Sequence, residues 1–351
     1  MRERILSAVL LGVLIGEFVY IALFGRGEDF WEHYYAGQAM RQGVTVEEAM
    51  ADRASEDWMY PYPMFTAVLL LPLSFLPPSV SFRLWAALLY VMLGLGTYAF
   101  ARRVGRFGRE PALEATLLVL VWPVTFCAVF MGQMTPILVS LFVAAYLLAR
   151  ARKPYAAGLV LSLALFKPHF ALPVAVAFAL RREWRVVTAF GLGAIVLVGV
   201  SLLFGQNTSP DAWQQYLVGW FLARRTVSLI GLLQPLAPAW RVLASVTGFC
   251  LLGVWWFRRR VIRLVDAAVG VLAGLLVSPY VPIYDLVLLA PLIVLLMPGR
   301  DPFFWLAMAL TSVTALRFGF SWATILGLAC FGVALFRLSR SSAWRTGGDS
   351  G

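Results

Sequence analysis

The run from Ile5 to Phe24 carries a single charge, Glu17, over a stretch long enough to cross a lipid bilayer, and it is the first of many such runs. A membrane helix needs ~20 largely apolar residues. Further runs that meet or approach this length lie at roughly 80–101, 112–130, 135–150, 186–204, 239–257, 265–283, 286–297, 303–317 and 321–336. Between Pro154 and Arg181 two half-length runs meet at Lys167-Pro168-His169. Apolar residues make up 61% of the chain and charged ones 13%. A soluble domain needs only about 45–50% apolar residues and roughly 25% charge, so the surplus faces lipid. Disorder and an ordinary soluble fold are both excluded. The expectation is an all-α, polytopic integral membrane protein, one membrane domain over residues 1–351 with about twelve crossings.

The net charge of +11 would suggest nucleic acid in a soluble protein. Here the cations gather in short clusters between apolar runs: Arg102 to Arg109, Arg150 to Lys153, Arg181 to Arg185, Arg258 to Arg263 and Arg337 to Arg345. Cytoplasmic loops carry such excesses, so the charge reports sidedness and no nucleic-acid partner is expected. Arg2 and Arg4 precede the first run and no small-residue cleavage site follows it, which reads as an uncleaved signal anchor with a cytoplasmic N-terminus. Both ends then lie inside, with 337–351 a cytoplasmic tail. The segments 25–63 and 205–228 become external loops, as do the short turns at Met131 to Pro136, Lys167 to His169 and Ser278 to Asp285. Met64 to Leu76 is too short to span comfortably and reads as a short or re-entrant helix. Helix-like segments are expected at 32–42 and 45–55.

Three cysteines lie in apolar runs and two histidines stand apart, so no disulfide framework, metal site or cofactor is expected. Function is sought at polar residues facing the external side, because charged or irregular groups at membrane depth survive only where they line a cavity. Asp29 sits among aromatics just past the first run. It could serve as a general base toward a hydroxyl, or be a solvated acid beside an aromatic belt. Lys167 stands between two apolar runs, where an ammonium could hold a phosphate or simply top an external turn. His169 follows the proline of that turn. Arg224 and Arg225, external against the positive-inside trend, could pair with lipid headgroups or a phosphate. Gln133 follows Gly132 at a helix break and offers an amide to a hydroxyl-rich ligand. Tyr284 and Asp285 follow two prolines that interrupt a run. Such breaks free backbone groups for substrate, although Asp285 could equally cap a helix start.

These elements together resemble glycosyltransferase family 87, the polytopic C-type membrane glycosyltransferases that include polyprenol-phosphate-mannose-dependent mannosyltransferases. The resemblance rests on Asp29-Phe30-Trp31 with Tyr34-Tyr35, then Tyr60-Pro61-Tyr62-Pro63, Leu71-Pro72-Leu73 and Leu76-Pro77. Gly132-Gln133, Ala157-Gly158, Phe166-Lys167-Pro168, Ser278-Pro279 and Tyr284-Asp285 complete it. It implies an inverting, metal-independent transfer of a hexose, mannose favoured, or of a pentose, from a polyprenyl-phosphate donor to a lipid or glycan acceptor. The site would face the outside or periplasm of a membrane, a bacterial inner membrane being favoured. On this resemblance Asp29 is the base. Lys167, Arg224 and Arg225 bind the donor phosphate. Tyr34, Tyr35, Gln133, His169, Tyr284 and Asp285 contact substrate. Two other classes stay open: a transporter or flippase of a lipid-linked or polar solute, and an inactive subunit of an assembly complex.

Overall fold

The computed structural model describes residues 2–50, 60–204, 228, 238–258, 264–278, 281–299, 301–316 and 322–340. The described residues are predominantly helical, and none is in a strand. The segment 205–228 expected as an external loop, all but its last residue, and the tail expected beyond Arg340 lie outside them, as do Arg224 and Arg225. The chain divides into two compact units. One comprises Ile15–Met92 and Val129–Gly219; the other comprises Met1–Leu14, Leu93–Ala128 and Trp220–Gly351.

Among the described residues, three helices are long and apolar enough to cross a membrane: Ile5–Phe24 within α1 (Arg2–Phe24), α5 (Pro78–Arg103) and α11 (Trp184–Phe204). Most large side chains of α1 are exposed, Ile5, Val9, Ile15, Val19 and Leu23 among them, which suits lipid as the surrounding medium. The single charge within its apolar run, Glu17, is not left alone. The Tyr90 hydroxyl on α5 donates to Glu17 Oε2 at 3.4 Å.

The run at 112–130 is not one straight span. It forms α6 (Arg109–Leu120) and α7 (Pro123–Met131), bent by 56° at the break between them. Pro123 opens α7, and a proline both removes an N–H from the ladder and pushes the residue before it out of helical geometry. Hydropathy is continuous across that bend, so composition alone does not reveal it.

In the first unit, α2 (Glu28–Gln42) and the short α3 (Val46–Met50) follow α1. Gly43 ends α2 in the left-handed region, with φ 71°, where a glycine is least strained. A two-part capping box starts α3: Thr45 N–H donates to Glu48 Oε2 at 2.8 Å, while Glu48 N–H donates to Thr45 Oγ1 at 3.1 Å. Val46 anchors it in a small core with Ala36, Ala39 and Ala67. Met64 to Leu76 is indeed short: α4 (Met64–Leu70) tightens into a 3₁₀ turn over Leu71–Phe75 around Pro72. Then come α8 (Thr135–Arg150), α9 (Pro154–Ser162), a 3₁₀ turn over Leu163–Phe166, and α10 (Pro168–Leu180). Gly158 and Gly193 let α9 and α11 pack backbone against backbone. A Cβ at Gly158 would meet the Val186 carbonyl oxygen and one at Gly193 the Ser162 side chain.

The second unit holds α12 (Pro238–Phe257), α13 (Leu264–Val277), α14 (Ala290–Leu296), α15 (Pro302–Leu316) and α16 (Trp322–Arg340). The run expected at 265–283 stops as a helix at Val277, next to the fully buried Ser278. Ile283–Leu289 is a 3₁₀ segment that feeds α14. Asp301 caps α15 by accepting from Phe303 N–H at 2.8 Å, and Phe304 meets Phe331 of α16 edge to face in the core.

Candidate functional site

The short break between α7 and α8, residues 132–134, organises one end of the first unit. Gly132 sits there with φ 79°, conformationally open to glycine and strained for most other residues. Its carbonyl accepts from the fully buried Trp85 indole at 2.8 Å. Phe30 presses onto the same glycine, so closely that an added Cβ would lie 2.6 Å from Phe30 Cβ and 2.9 Å from its backbone nitrogen. Two residues before the break, the Phe130 carbonyl accepts from Gly27 N–H at 3.0 Å. Gly27 and Phe30 flank Asp29, so both sides of that carboxylate are tied to the α7–α8 break. Asp29 is half-buried in the first turn of α2, where the helix dipole favours a negative charge. Aromatic rings brace this turn: Phe30 packs against Trp31, Tyr34, Phe82 and Trp85.

Lys167 reaches the same break from the other direction. Pro168 opens α10 and keeps Lys167 out of helical geometry, at φ −126° and ψ 76°. The side chain is buried, and its Nζ donates to Thr135 Oγ1 at 3.0 Å. Thr135 begins α8 two residues after Gln133, which is itself buried with no hydrogen-bond partner at Oε1. An ammonium, a hydroxyl and an amide oxygen are thus gathered beside the backbone on which α2 rests.

One turn on from Asp29, His33 belongs to this group. Its Nδ1 lies 2.8 Å from the Tyr60 hydroxyl, which lies 2.9 Å from Thr66 Oγ1, and Thr66 Oγ1 donates to the Pro63 carbonyl at 2.6 Å. A carbonyl can only accept, so the proton of every member points one way. Thr66 uses its proton on Pro63, Tyr60 must donate to Thr66, and His33 must carry its hydrogen on Nδ1. His33 Nε2 is then a bare acceptor, and it is buried with no partner. Burial, reinforced by the charge of Lys167, pushes the His33 pKa down to about 3, so the ring stays neutral. Burial also raises the Tyr60 phenol well above its ordinary value, against the opposing hydrogen bond to Thr66, which keeps it a donor. The electrostatic reach from Lys167 to His33 brings the second turn of α2 and the Lys167 junction together. The Tyr62 ring, 4.4 Å from that of His33, completes the wall.

Of the residues singled out from sequence, Asp29, Tyr34, Tyr35, Gln133, Lys167 and His169 share this unit. Tyr34 is engaged within the fold: its hydroxyl donates to the Leu76 carbonyl at 2.9 Å and accepts from Gln38 at 3.2 Å. Tyr35 is half-buried against Trp31 and Tyr34. His169 starts α10 with its ring 4.2 Å from that of Phe170. Tyr284 and Asp285 belong to the other unit, in the 3₁₀ segment after Pro282. Asp285 is fully buried, and Pro282, not Asp285, occupies the N-cap of that segment. The helix-capping alternative for Asp285 is therefore set aside. Residues that sequence did not place in the site are His33, Tyr60 and Thr135, although Tyr60 stands in the Tyr60-Pro61-Tyr62-Pro63 element of the resemblance. The Asp29–His33 spacing of four, one helical face, is the signal that could have found the first.

The family model of glycosyltransferase family 87 matches residues 60–279, a span that includes Tyr60, Gln133 and Lys167. No curated protein and no solved structure matches the chain.

Proposed function

The chain belongs to glycosyltransferase family 87, and from that membership we propose that it transfers a hexose, mannose favoured, or a pentose, from a polyprenyl-phosphate donor to a lipid or glycan acceptor. The reaction inverts the anomeric centre, needs no metal, and takes place on the external face of a membrane crossed about twelve times with both ends inside. A bacterial inner membrane is the favoured setting.

Asp29 accepts the proton of the acceptor hydroxyl as its oxygen forms a bond to the anomeric carbon. The bond from that carbon to the phosphate oxygen breaks on the opposite side, and its electron pair leaves with the polyprenyl phosphate. That leaving group is already acidic and needs no proton, so a single base suffices. Lys167, assisted by Arg224 and Arg225, stabilises the growing charge on the departing phosphate. Gln133, His169, Tyr34 and Tyr35 contact donor or acceptor, and Tyr284 and Asp285 keep the substrate-binding role that the family resemblance implies for them.

What supports this reading is the joint anchoring of the Asp29 turn and the Lys167 ammonium at the α7–α8 break, through Gly27, Phe30 and Thr135. A base and a cation held to one short piece of backbone suit a reaction that gains a proton at one end and releases an anion at the other. The test uses purified protein and a radiolabelled polyprenyl-phosphate sugar. Asp29→Asn should abolish transfer while the protein still binds the lipid. Undiminished turnover would reject Asp29 as the base.

A further inference from the structure

Arg241 lies in the first turn of α12 and is only 2% exposed, yet its Nε and Nη2 have no hydrogen-bond partner. One turn further, Ser245 is 3% exposed and its hydroxyl is also without a partner. The two share one face of the helix, as i and i+4 neighbours do. That face is the packed one. Gly248, three residues on, faces Val277 at the end of α13, where an added Cβ would lie 2.8 Å from Val277 Cβ. The opposite side, with Trp240, Leu243, Val246 and Leu251, is exposed.

A guanidinium stays charged in any protein setting, and burying it without an acceptor is expensive. Ionisable groups at membrane depth are retained where they serve a ligand or a pathway. The two unmet nitrogens lie on the same edge of the guanidinium and project parallel N–H bonds, the fork that grips two oxygens of one tetrahedral anion. The N-terminus of a twenty-residue helix adds its dipole with the same preference. Ser245 contributes a neutral donor to the same group.

We propose that Arg241 and Ser245 form a binding site for the phosphate of a membrane lipid. The carrier is either the polyprenyl phosphate of the sugar donor or an anionic phospholipid headgroup. The first assignment rests on the function proposed above; the phosphate site itself does not.

The experiment compares wild type, Arg241→Met, Arg241→Lys and Ser245→Ala, purified in a detergent without phosphate. Each is titrated with a polyprenyl monophosphate and separately with phosphatidylglycerol, following thermal unfolding and lipid retention by native mass spectrometry. Without lipid, Arg241→Met should unfold at or above the wild-type temperature, because it removes an unmet charge while keeping the shape. Wild type should gain thermal stability on adding a phosphate lipid. Arg241→Met should lose at least tenfold in affinity, Arg241→Lys should fall between them, and Ser245→Ala should lose severalfold. A loss confined to the polyprenyl monophosphate assigns the site to the donor; a loss for phosphatidylglycerol assigns it to a headgroup. Unchanged affinity for both lipids in Arg241→Met and Arg241→Lys overturns the site, as does a destabilised Arg241→Met that still gains fully from lipid. Loss of binding in Arg241→Met beside undiminished turnover in Asp29→Asn would retain the site and reject the base.

Discussion

Gly132→Ala is the substitution that most directly tests whether the α7–α8 break positions the chemistry. The new methyl would lie 2.6 Å from Phe30 Cβ and 2.9 Å from Phe30 N, where ordinary contacts begin at 3.4 Å. The obstacle includes backbone, so no rotamer change relieves it, and the α2 turn must retreat by about 1 Å. Alanine at φ 79° adds a left-handed penalty of roughly 1–2 kcal/mol, and overpacking of this kind adds about 1–3 kcal/mol. Destabilisation of about 2–5 kcal/mol is therefore expected. Turnover should fall on the order of 100-fold, the usual consequence of displacing a reacting group by about 1 Å. Gly191→Ala is the control. That glycine lies in α11 with nothing within 4 Å of an added Cβ, and alanine there should be neutral or stabilising by up to ~1 kcal/mol. Thermal unfolding and sugar transfer are measured on both variants. A Gly132→Ala protein that unfolds and turns over like wild type would refute the idea that Phe30 and Gly132 hold the Asp29 turn in place.

His33 carries a pH signature. Its folded pKa, about 3, lies below the ordinary 6.5, so its contribution to stability is complete above about pH 6.5. That contribution is lost as the pH falls through 6.5 toward 3, by up to ~5 kcal/mol at about 1.4 kcal/mol per pKa unit. His33→Gln should flatten this decline in thermal unfolding between pH 7.5 and 4.5; parallel profiles for the two proteins would contradict it. Lys167→Met should weaken donor binding or slow phosphate departure, read as a change in the response of transfer rate to donor concentration, and an unchanged response would count against its role. Trp85→Phe keeps the ring packing but deletes the hydrogen bond to the Gly132 carbonyl, and should cost about 1–3 kcal/mol in unfolding because a buried acceptor is left unmet. A variant as stable as wild type would show that the bond does not secure the break.

Long apolar runs made the helices at 80–101, 186–204 and 239–257 legible, since lipid demands length and apolarity whatever the partners of the helix. The bend at Val121–Trp122 escaped because apolar composition continues across it, though Pro123 marked the place. The end of α13 at Val277 was partly legible: the turn expected from Ser278 onward matches it, while the apolar run drawn through to 283 overshoots it. Lys167 stood out as a charge between two apolar runs. Its partner Thr135 did not, because threonine is unremarkable at a helix start and the two are joined only by folding. The His33, Tyr60 and Thr66 chain is likewise non-local: nothing in the spacing of residues 33 and 60 records a hydrogen bond between them. Arg224 and Arg225 fall outside the described residues, so their roles stand as proposals.

The one-way chain from His33 to Pro63 acts as a filter on what can dock against the imidazole. Because the Pro63 oxygen can never give up a hydrogen, the orientation of the buried lone pair on Nε2 is fixed by bonding some distance away and cannot be reversed by an incoming guest. A sugar hydroxyl, arriving with hydrogen to offer, is welcome there. A phosphate oxygen or a ring ether, arriving with only lone pairs, is repelled, and must find its donors elsewhere.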